Sequence, residues 1–166
     1  MSPRDYPGRP WAGVGVVVWH GDAVLLVRRA RAPRQGQWSI PGGMQELGET
    51  ARQAGKREVR EETGLDIVID GLIDVVDLIL PDAKGQVRTH YTLIDFYGHC
   101  ADESADEGAD EAPRDALGRP EPRPGDDADA AVWAPVTELD AYGLWAETRR
   151  IITQSRVLKS SAAKSG

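Results

Sequence analysis

The residue pattern that most constrains this chain is a helix-forming stretch, residues 49–63, whose glutamates lie where a helix normally buries apolar side chains. The stretch lacks proline, is rich in strong helix formers and is followed by Gly64, a residue type common at helix C-termini. At about 100° per residue, Glu61 and Glu62 both lie within about 60° of Glu58. Lysine, arginine and glutamine already form a polar face on the opposite side. The helix therefore turns three carboxylates toward the rest of the protein.

Carboxylates three and four residues apart on a helix repel each other, so this face needs a compensating group. A hard divalent cation provides it, because Mg²⁺ prefers carboxylate oxygens and accepts substrate phosphates as further ligands. Ala51, Ala54 and Gly55 share the face, and their small size lets a loop with Gly42 and Gly43 approach closely. The alternative is a solvent-exposed acidic surface, the more common role of charged runs. The three acids alone leave both interpretations open.

The remaining sequence predicts a mixture of strands and helices. Five segments have strand-like sequences, namely 12–19, 22–29, 65–80, 87–98 and 130–135. We expect the first two to pair across a tight turn, and 65–80 to pair with 87–98. Residues 137–158 read as closing helical structure. Because strands and helices do not alternate regularly, the pattern predicts an α+β sandwich rather than a doubly wound sheet.

The acidity of the chain is concentrated in one segment. The net charge is −7, but residues 101–129 contain eleven acids and three arginines, so they carry −8 and the rest of the chain +1. Within this segment, residues 101–125 contain Leu117 as their one large apolar residue, a composition that predicts a disordered acidic loop insertion. We therefore expect a single domain over residues 1–158 that carries this loop, and a flexible tail at 159–166.

Composition also narrows the class of protein. Cys100 is the single cysteine, which excludes an internal disulfide and a thiolate zinc site. The chain has no run of about 18 apolar residues, and its first ten residues lack the apolar stretch of a secretory signal. It also has no cluster of lysine and arginine suited to nucleic acid. We expect a cytoplasmic protein with neither a membrane nor a nucleic-acid partner.

Residues 43–65 resemble the Nudix box. That pattern is a glycine, five residues, Glu, seven residues, Arg-Glu, an aliphatic residue, any residue, Glu-Glu, any residue, Gly and an aliphatic residue. The nine specified positions all match: Gly43, Glu49, Arg57, Glu58, Val59, Glu61, Glu62, Gly64 and Leu65. The segments LLVRR, QWSIPGG and HYTLIDF also look like the family, so the resemblance covers about residues 12–140.

The resemblance implies a Nudix fold, which is an α/β/α sandwich with a mixed central β-sheet, and a Mg²⁺-dependent hydrolase for which Mn²⁺ can substitute. In the family the metal ligands map to Glu58, Glu61, Glu62 and the main-chain carbonyl of Gly43, while Glu49 and Arg57 form a structural salt bridge. The metal would acidify a water that attacks one phosphorus of a diphosphate, and the second phosphate group would leave.

Further site residues are expected outside the box. In the family one more acid often comes from a variable loop, and the candidates here are Asp126, Asp127 and Asp129. We favour Asp127 as a catalytic residue alongside Glu58 and Glu61. For substrate binding we expect Arg29, at the end of a strand that leads toward the site, and the backbone of Gly42 and Gly43. Solvated acids and a surface arginine are the alternatives.

The position of Pro81 bears on the substrate. It lies 16 positions after Leu65, a spacing similar to that of ADP-ribose pyrophosphatases, although a proline that ends a strand is also ordinary turn chemistry. The similarity implies that Pro81 contacts the substrate and that the chain hydrolyses ADP-ribose, a small-molecule nucleotide, to AMP and ribose 5-phosphate. The alternatives are a house-cleaning nucleoside triphosphate pyrophosphatase and a non-catalytic, nucleotide-sensing Nudix module. Whichever function applies, a homodimer is a possible assembly of this chain.

Overall fold

The computed structural model describes residues 3–31, 34–101, 113–125 and 127–164. The elements in chain order are β1 (Trp11–His20), β2 (Ala23–Arg29), β3 (Trp38–Ser39), β4 (Gly42–Met44), α1 (Ala51–Thr63), β5 (Ile67–Pro81), β6 (Val87–Cys100), β7 (Ala128–Pro135), a 3-10 helix (Val136–Tyr142) and α2 (Ala146–Lys164).

The seven strands in the described part of the chain form one mixed sheet. Its main order is β3-β2-β1-β6-β5, with β4 paired to β1 and β7 paired to β2. β1 and β6 run parallel over nine residue pairs, whereas the other strand pairs are antiparallel. The expected pairing of segments 65–80 and 87–98 is confirmed by β5 and β6. The α+β class is confirmed as well.

The pair formed by the first two strands is shorter than the sequence indicated. β1 contacts β2 only at the two residue pairs next to their turn. Farther from the turn β4 lies along β1, so that Gly15 is opposite Gly42 and Val14 is opposite Gly43. The sheet therefore opens between β1 and β2, and the glycine-containing strand β4 lies in this opening.

Helices cover both faces of the sheet. Successive valines of β1 point to opposite faces, where Val16 packs with Val59 of α1 and Val17 packs with Ile151 and Ile152 of α2. None of these side chains is more than 2% exposed. Burial on both faces explains why β1 is a nearly continuous valine run rather than an alternating one. The predicted α/β/α sandwich is confirmed.

Local signals define both ends of α1. Thr50 caps its N-terminus in a capping box with Gln53, and Gly64 ends it in the left-handed conformation at φ 71°. Gly55 lies where the helix meets the sheet, and a Cβ there would be 3.0 Å from Cγ2 of Val16. The glycine therefore lets α1 lie close to β1, which outweighs its unfavourable helix propensity.

Part of the expected disordered insertion contacts the folded domain. Residues 102–112 lie outside the described residues, but the backbone N–H of Arg123 donates to Thr63 at 2.8 Å and that of Gly125 to Glu62 at 3.1 Å. Trp133 Nε1 donates to the carbonyl of Pro120 at 2.8 Å. Residues 120–125 thus contact the folded domain, and the disorder expected for residues 101–125 stays a prediction. Composition did not indicate that this segment could bond the free carbonyls at the C-terminal end of α1.

Helix α2 continues to Lys164 and so includes most of the expected tail at 159–166, whose flexibility stays a prediction. Lys159 contacts the rest of the domain: its Nζ donates to the carbonyl of Gly21 at 2.8 Å and lies 4.8 Å from the ring centroid of Trp19. No helix among the residues that the structure describes has the length and apolar sequence needed to cross a bilayer.

We expect Trp133→Phe to lower the free energy of unfolding by about 1–3 kcal/mol, because it leaves the carbonyl of Pro120 without its buried donor and removes ring volume. Urea denaturation would measure the change. Trp145→Phe is the matched control, since Trp145 is 47% exposed and its replacement should change the value by less than about 0.5 kcal/mol. Equal effects of the two substitutions would contradict the packing of residues 120–125 described above.

Candidate active site

The site begins where strand β4 meets helix α1. The backbone N–H of Gly42 donates to Oε2 of Glu62 at 3.0 Å. A Cβ on Gly43 would collide with the carboxylate of Glu58, and one on Gly42 would collide with the carbonyl of Val14. Two consecutive glycines are therefore a steric requirement for bringing the strand this close to two helix glutamates.

Arg57 ties the segment between β4 and α1 to the helix. Its guanidinium bonds both carboxylate oxygens of Glu49, at 2.7 Å from Nη2 and 3.1 Å from Nε, and Nη2 also donates to the carbonyl of Met44 at 3.0 Å. Nη1 bonds Glu58 at 3.0 Å and Glu61 at 3.1 Å. The bonds from Arg57 are the main reason that the pKa of Glu49 is lowered. The structure thus brings together the two residues expected to form the structural salt bridge.

The glutamates carry negative charge that is only partly neutralised. Burial raises the pKa of Glu62 to about 7, against the lowering effect of the Gly42 N–H bond, and the charge of Glu58 raises it further. Burial also raises the pKa of Glu58. Two residues outside the helix act on Glu62 electrostatically: Arg29 lowers its pKa and Asp127 raises it. A cation bound at this point would remove an unfavourable interaction rather than add one.

The three box glutamates fit a hard divalent cation, because all offer oxygen donors from one helix face. In the described part of the chain, no three acidic, histidine or cysteine side chains already converge as a metal site. Arg57 bonds Glu58 and Glu61, whereas Glu62 points to Gly42. The expected fourth ligand, the carbonyl oxygen of Gly43, lies toward β1, at 3.5 Å from where a Cβ of Gly13 would be. Its role as a ligand stays a prediction.

The candidates for the additional acid differ in their surroundings. Asp127 is close enough to affect the pKa of Glu62; its side chain is 72% exposed and forms only a long surface ion pair, at 3.5 Å, with Nη1 of Arg31. Asp129 is bonded by Nε of Arg28 at 2.6 Å, which occupies its carboxylate. Asp126 lies outside the described residues. Asp127 therefore remains the best-placed of the described candidates, and its catalytic role stays a prediction.

The structure does not bring Pro81 to these glutamates. Pro81 is the last residue of β5 and pairs with Val87. β6 begins to pair with β1 only at Tyr91, opposite Trp11. Val87, the partner of Pro81, comes four residues before Tyr91, so Pro81 lies beyond the end of β1. In this position the proline ends a strand before a turn, as ordinary turn chemistry does.

One buried acid was not singled out from the sequence. Asp95 of β6 is 6% exposed, and burial, followed by the negative charge of Glu147, raises its pKa to about 6. A signal was present in the strand pattern, because Leu93, Asp95 and Tyr97 share one face by the two-residue period of a strand. An acid between two large apolar residues on a covered face is unusual.

A model of the NUDIX domain matches residues 9–155. The chain belongs to the Nudix family. The resemblance of residues 43–65 to the Nudix box is thereby confirmed, and α1 is the helix that carries most of it.

Individual Nudix relatives are more distant. The ADP-ribose pyrophosphatase of Methanocaldococcus jannaschii is 33% identical over 89 residues, which cover 54% of this chain and 53% of that protein. The putative mutator protein MutT4 of Mycobacterium tuberculosis is 31% identical over 134 residues, 78% of this chain and 46% of that protein. The chain thus spans about half the length of these curated relatives. A solved MutT NUDIX hydrolase from Burkholderia pseudomallei matches with a TM-score of 0.66 and 26% identity, over 88% of this chain and 98% of that one.

We expect Arg57→Lys to lower the free energy of unfolding by roughly 1–3 kcal/mol, because an ammonium group cannot reproduce the forked bonds to Glu49 and Met44. Arg60→Lys is the matched control, since Arg60 is 71% exposed and only 3.4 Å from Asp66 in a surface ion pair; it should cost less than about 0.5 kcal/mol. Chemical denaturation of both variants checks the difference, and similar losses would show that the Arg57 contacts do not hold the segment.

Glu62→Gln should stabilise the metal-free protein at alkaline pH. The folded protein holds the Glu62 proton more tightly than the unfolded chain, so the free energy of unfolding falls as pH rises from about 4.5 to about 7. This loss, at most about 3 kcal/mol, is absent from the variant. With EDTA present, the stability difference should be largest at pH 8 and vanish below pH 4.5.

Added Mg²⁺ should reverse the order of stability at pH 8, because the metal stabilises the wild type through a ligand that the variant lacks. Glu138→Gln, at an exposed acid in the 3-10 helix, should follow the wild type throughout. Identical pH curves for Glu62→Gln and wild type would refute the raised pKa of Glu62 in the folded protein.

Proposed function

We propose that this Nudix chain hydrolyses the diphosphate bond of a nucleoside diphosphate derivative with Mg²⁺, and that its substrate is ADP-ribose. The observation that carries the proposal is the pair of half-buried glutamates, Glu58 and Glu62, packed against Gly42 and Gly43. Nudix hydrolases generally use divalent metal ions. The curated relative named an ADP-ribose pyrophosphatase supports this substrate. A cytoplasmic location and a homodimer stay predictions.

In the proposed reaction the box glutamates Glu58, Glu61 and Glu62 hold the metal. When bound, Mg²⁺ would neutralise the phosphate oxygens and lower the pKa of a water. Arg57 positions Glu58 and Glu61 through its bonds to both. Most of the rate enhancement would come from positioning and electrostatics, as in other phosphoryl transfers.

Asp127 accepts a proton from the attacking water in this scheme, and Arg29 offsets negative charge on the substrate. The water oxygen bonds to one phosphorus, and the bridging P–O bond breaks with its electron pair remaining on the leaving phosphate. The products from ADP-ribose and water are AMP and ribose 5-phosphate. Both Asp127 and Arg29 lie close enough to Glu62 to change its pKa, which supports these roles.

A nucleoside triphosphate pyrophosphatase is the second candidate, and the similarity to a solved MutT NUDIX hydrolase favours it. The same glutamates would serve this reaction, in which water and a nucleoside triphosphate give a nucleoside monophosphate and inorganic pyrophosphate. A non-catalytic nucleotide-sensing module is less well supported, because this chain retains the box arginine and every box glutamate.

Purified protein with Mg²⁺ should convert ADP-ribose to AMP and ribose 5-phosphate, as measured by chromatography of the products across a panel that includes nucleoside triphosphates. Glu61→Gln should lower kcat by roughly 10²-fold or more, because it removes a charged metal ligand. Glu138→Gln is the matched control and should keep wild-type turnover. Faster cleavage of a triphosphate would replace the substrate but keep the site, whereas no turnover of any compound would favour the sensing module.

A further inference from the structure

The buried carboxyl of Asp95 occupies a defined place between three strands. Asp95 lies on β6, opposite Gly15 of the parallel strand β1 and opposite Asp74 of the antiparallel strand β5. A Cβ on Gly15 would collide with Oδ1 of Asp95 and would be 3.0 Å from Cδ1 of Ile40. Glycine at position 15 therefore leaves the space that the carboxyl fills.

No hydrogen bond or ion pair reaches this carboxyl from any residue that the structure describes. Arg150 lowers the pKa of Asp95 through its charge, but its donors are used elsewhere: Nε bonds Glu147 at 2.7 Å, Nη1 bonds Gln154 at 2.7 Å and Nη2 bonds Asp74 at 2.8 Å. Asp95 is nevertheless only 6% exposed. Burying a carboxyl without a partner is costly, so such a group calls for a reason other than stability.

The position of Asp95 relative to the box glutamates supplies a reason. Gly15 is opposite Gly42 on its other side, so Asp95, Gly15 and Gly42 form one row across three neighbouring strands. Strands are about 4.8 Å apart, which places the Cα atoms of Asp95 and Gly42 about 10 Å apart. The N–H of Gly42 in turn bonds Glu62. A nucleoside attached to a diphosphate held at the glutamates can span this distance.

Apolar side chains accompany the carboxyl on this face. Ile40, Trp38 and Tyr142 are partly buried and pack against the core under α2, and the rings of Trp38 and Tyr142 meet edge to face at 5.2 Å. Apolar and aromatic walls with few polar groups are typical of sites for small organic ligands. Of these side chains Ile40 is the one shown near the unpaired carboxyl, since Cδ1 of Ile40 and Oδ1 of Asp95 both border the position that a Cβ of Gly15 would occupy.

We propose that Asp95 is a specificity-determining residue, whose carboxylate accepts a hydrogen bond from an N–H or O–H group of the nucleoside half of the substrate. The inference rests on the proposed function and adds the group that selects the nucleoside. A carboxylate only accepts hydrogen bonds, so the partner is a donor, either a ribose hydroxyl or an amino group of the base. With a pKa of about 6, the group is ionised at pH 8.

The test compares Asp95→Asn and Asp95→Ala with the wild type at pH 8. We expect the KM for ADP-ribose to rise about tenfold to a hundredfold in Asp95→Ala, and less in Asp95→Asn, which keeps one acceptor oxygen. The thermal midpoint should not fall in Asp95→Asn, because no described residue pairs with the carboxyl. A lower midpoint with an unchanged KM would overturn the proposal in favour of a structural role.

Asp77→Asn is the matched control, since Asp77 is an exposed acid on the neighbouring strand β5 whose side chain bonds only Thr92 among the described residues. Its KM should equal that of the wild type. Two analogues distinguish the donor: 2′-deoxy-ADP-ribose lacks a ribose hydroxyl, and inosine diphosphate ribose lacks the amino group of the base. The analogue that lacks the donor should have a higher KM than ADP-ribose with the wild type. With Asp95→Ala the two compounds should have equal KM values. No such discrimination would overturn the proposal.

Failure of the proposed function can be told apart from failure of this inference. Turnover with an unchanged KM in Asp95→Ala would leave the hydrolase and remove the role of Asp95. If the wild type turns over no nucleotide, calorimetric titration with AMP decides: weaker binding to Asp95→Ala supports the nucleoside contact, whereas equal binding, or none to the wild type, overturns it.

Discussion

The close packing of strand β4 against helix α1 is the constraint on which the rest of the site depends. Gly42 and Gly43 can lie there because they have no side chains, and Glu58 and Glu62 are half-buried where the strand lies against them. A small residue of α1 has a similar effect, because Gly55 lets the helix lie close to β1. One requirement for close approach therefore explains both the glycines and the unusual position of the acids.

The position of Glu58 and Glu62 beside β4 lowers the stability of the metal-free protein. Burial raises the pKa of Glu58 and Glu62, which means that the metal-free fold is less stable than it would be with neutral side chains at these positions. Arg57 compensates in part by bonding both Glu58 and Glu61 while it anchors Glu49. Groups that lower stability are common where a protein binds a ligand. Here a bound cation would offset the repulsion between the carboxylates.

The box glutamates and Asp95 lie on opposite faces of the sheet around β1. The box glutamates lie on the α1 side, whereas Asp95 lies on the side of α2, next to the Arg150 network that links β5 to that helix. Both regions meet at Gly15 and Gly42, which are opposite each other in β1 and β4. A substrate that extends from the glutamates across this row would be held by both faces of one sheet.

The sequence by itself determined the features that depend on near neighbours in the chain. Helix α1, with its three glutamates on one side, its end at Gly64 and the β5–β6 pair follow from residue types at short spacing, because helical and strand periods are local. The box spacing identified the family for the same reason. The α+β class also followed, since the order of strands and helices is a property of the chain.

Only the tertiary structure decided which distant segments meet. It placed β4 along β1 in a position where the sequence suggested β2. It also packed residues 120–125 against the end of α1, left Pro81 at the far end of β5 and buried Asp95 without a partner among the described residues. Each of these outcomes depends on contacts between residues far apart in the chain. Composition and periodicity carry no information about such contacts, because they describe a segment and not the surface against which it packs.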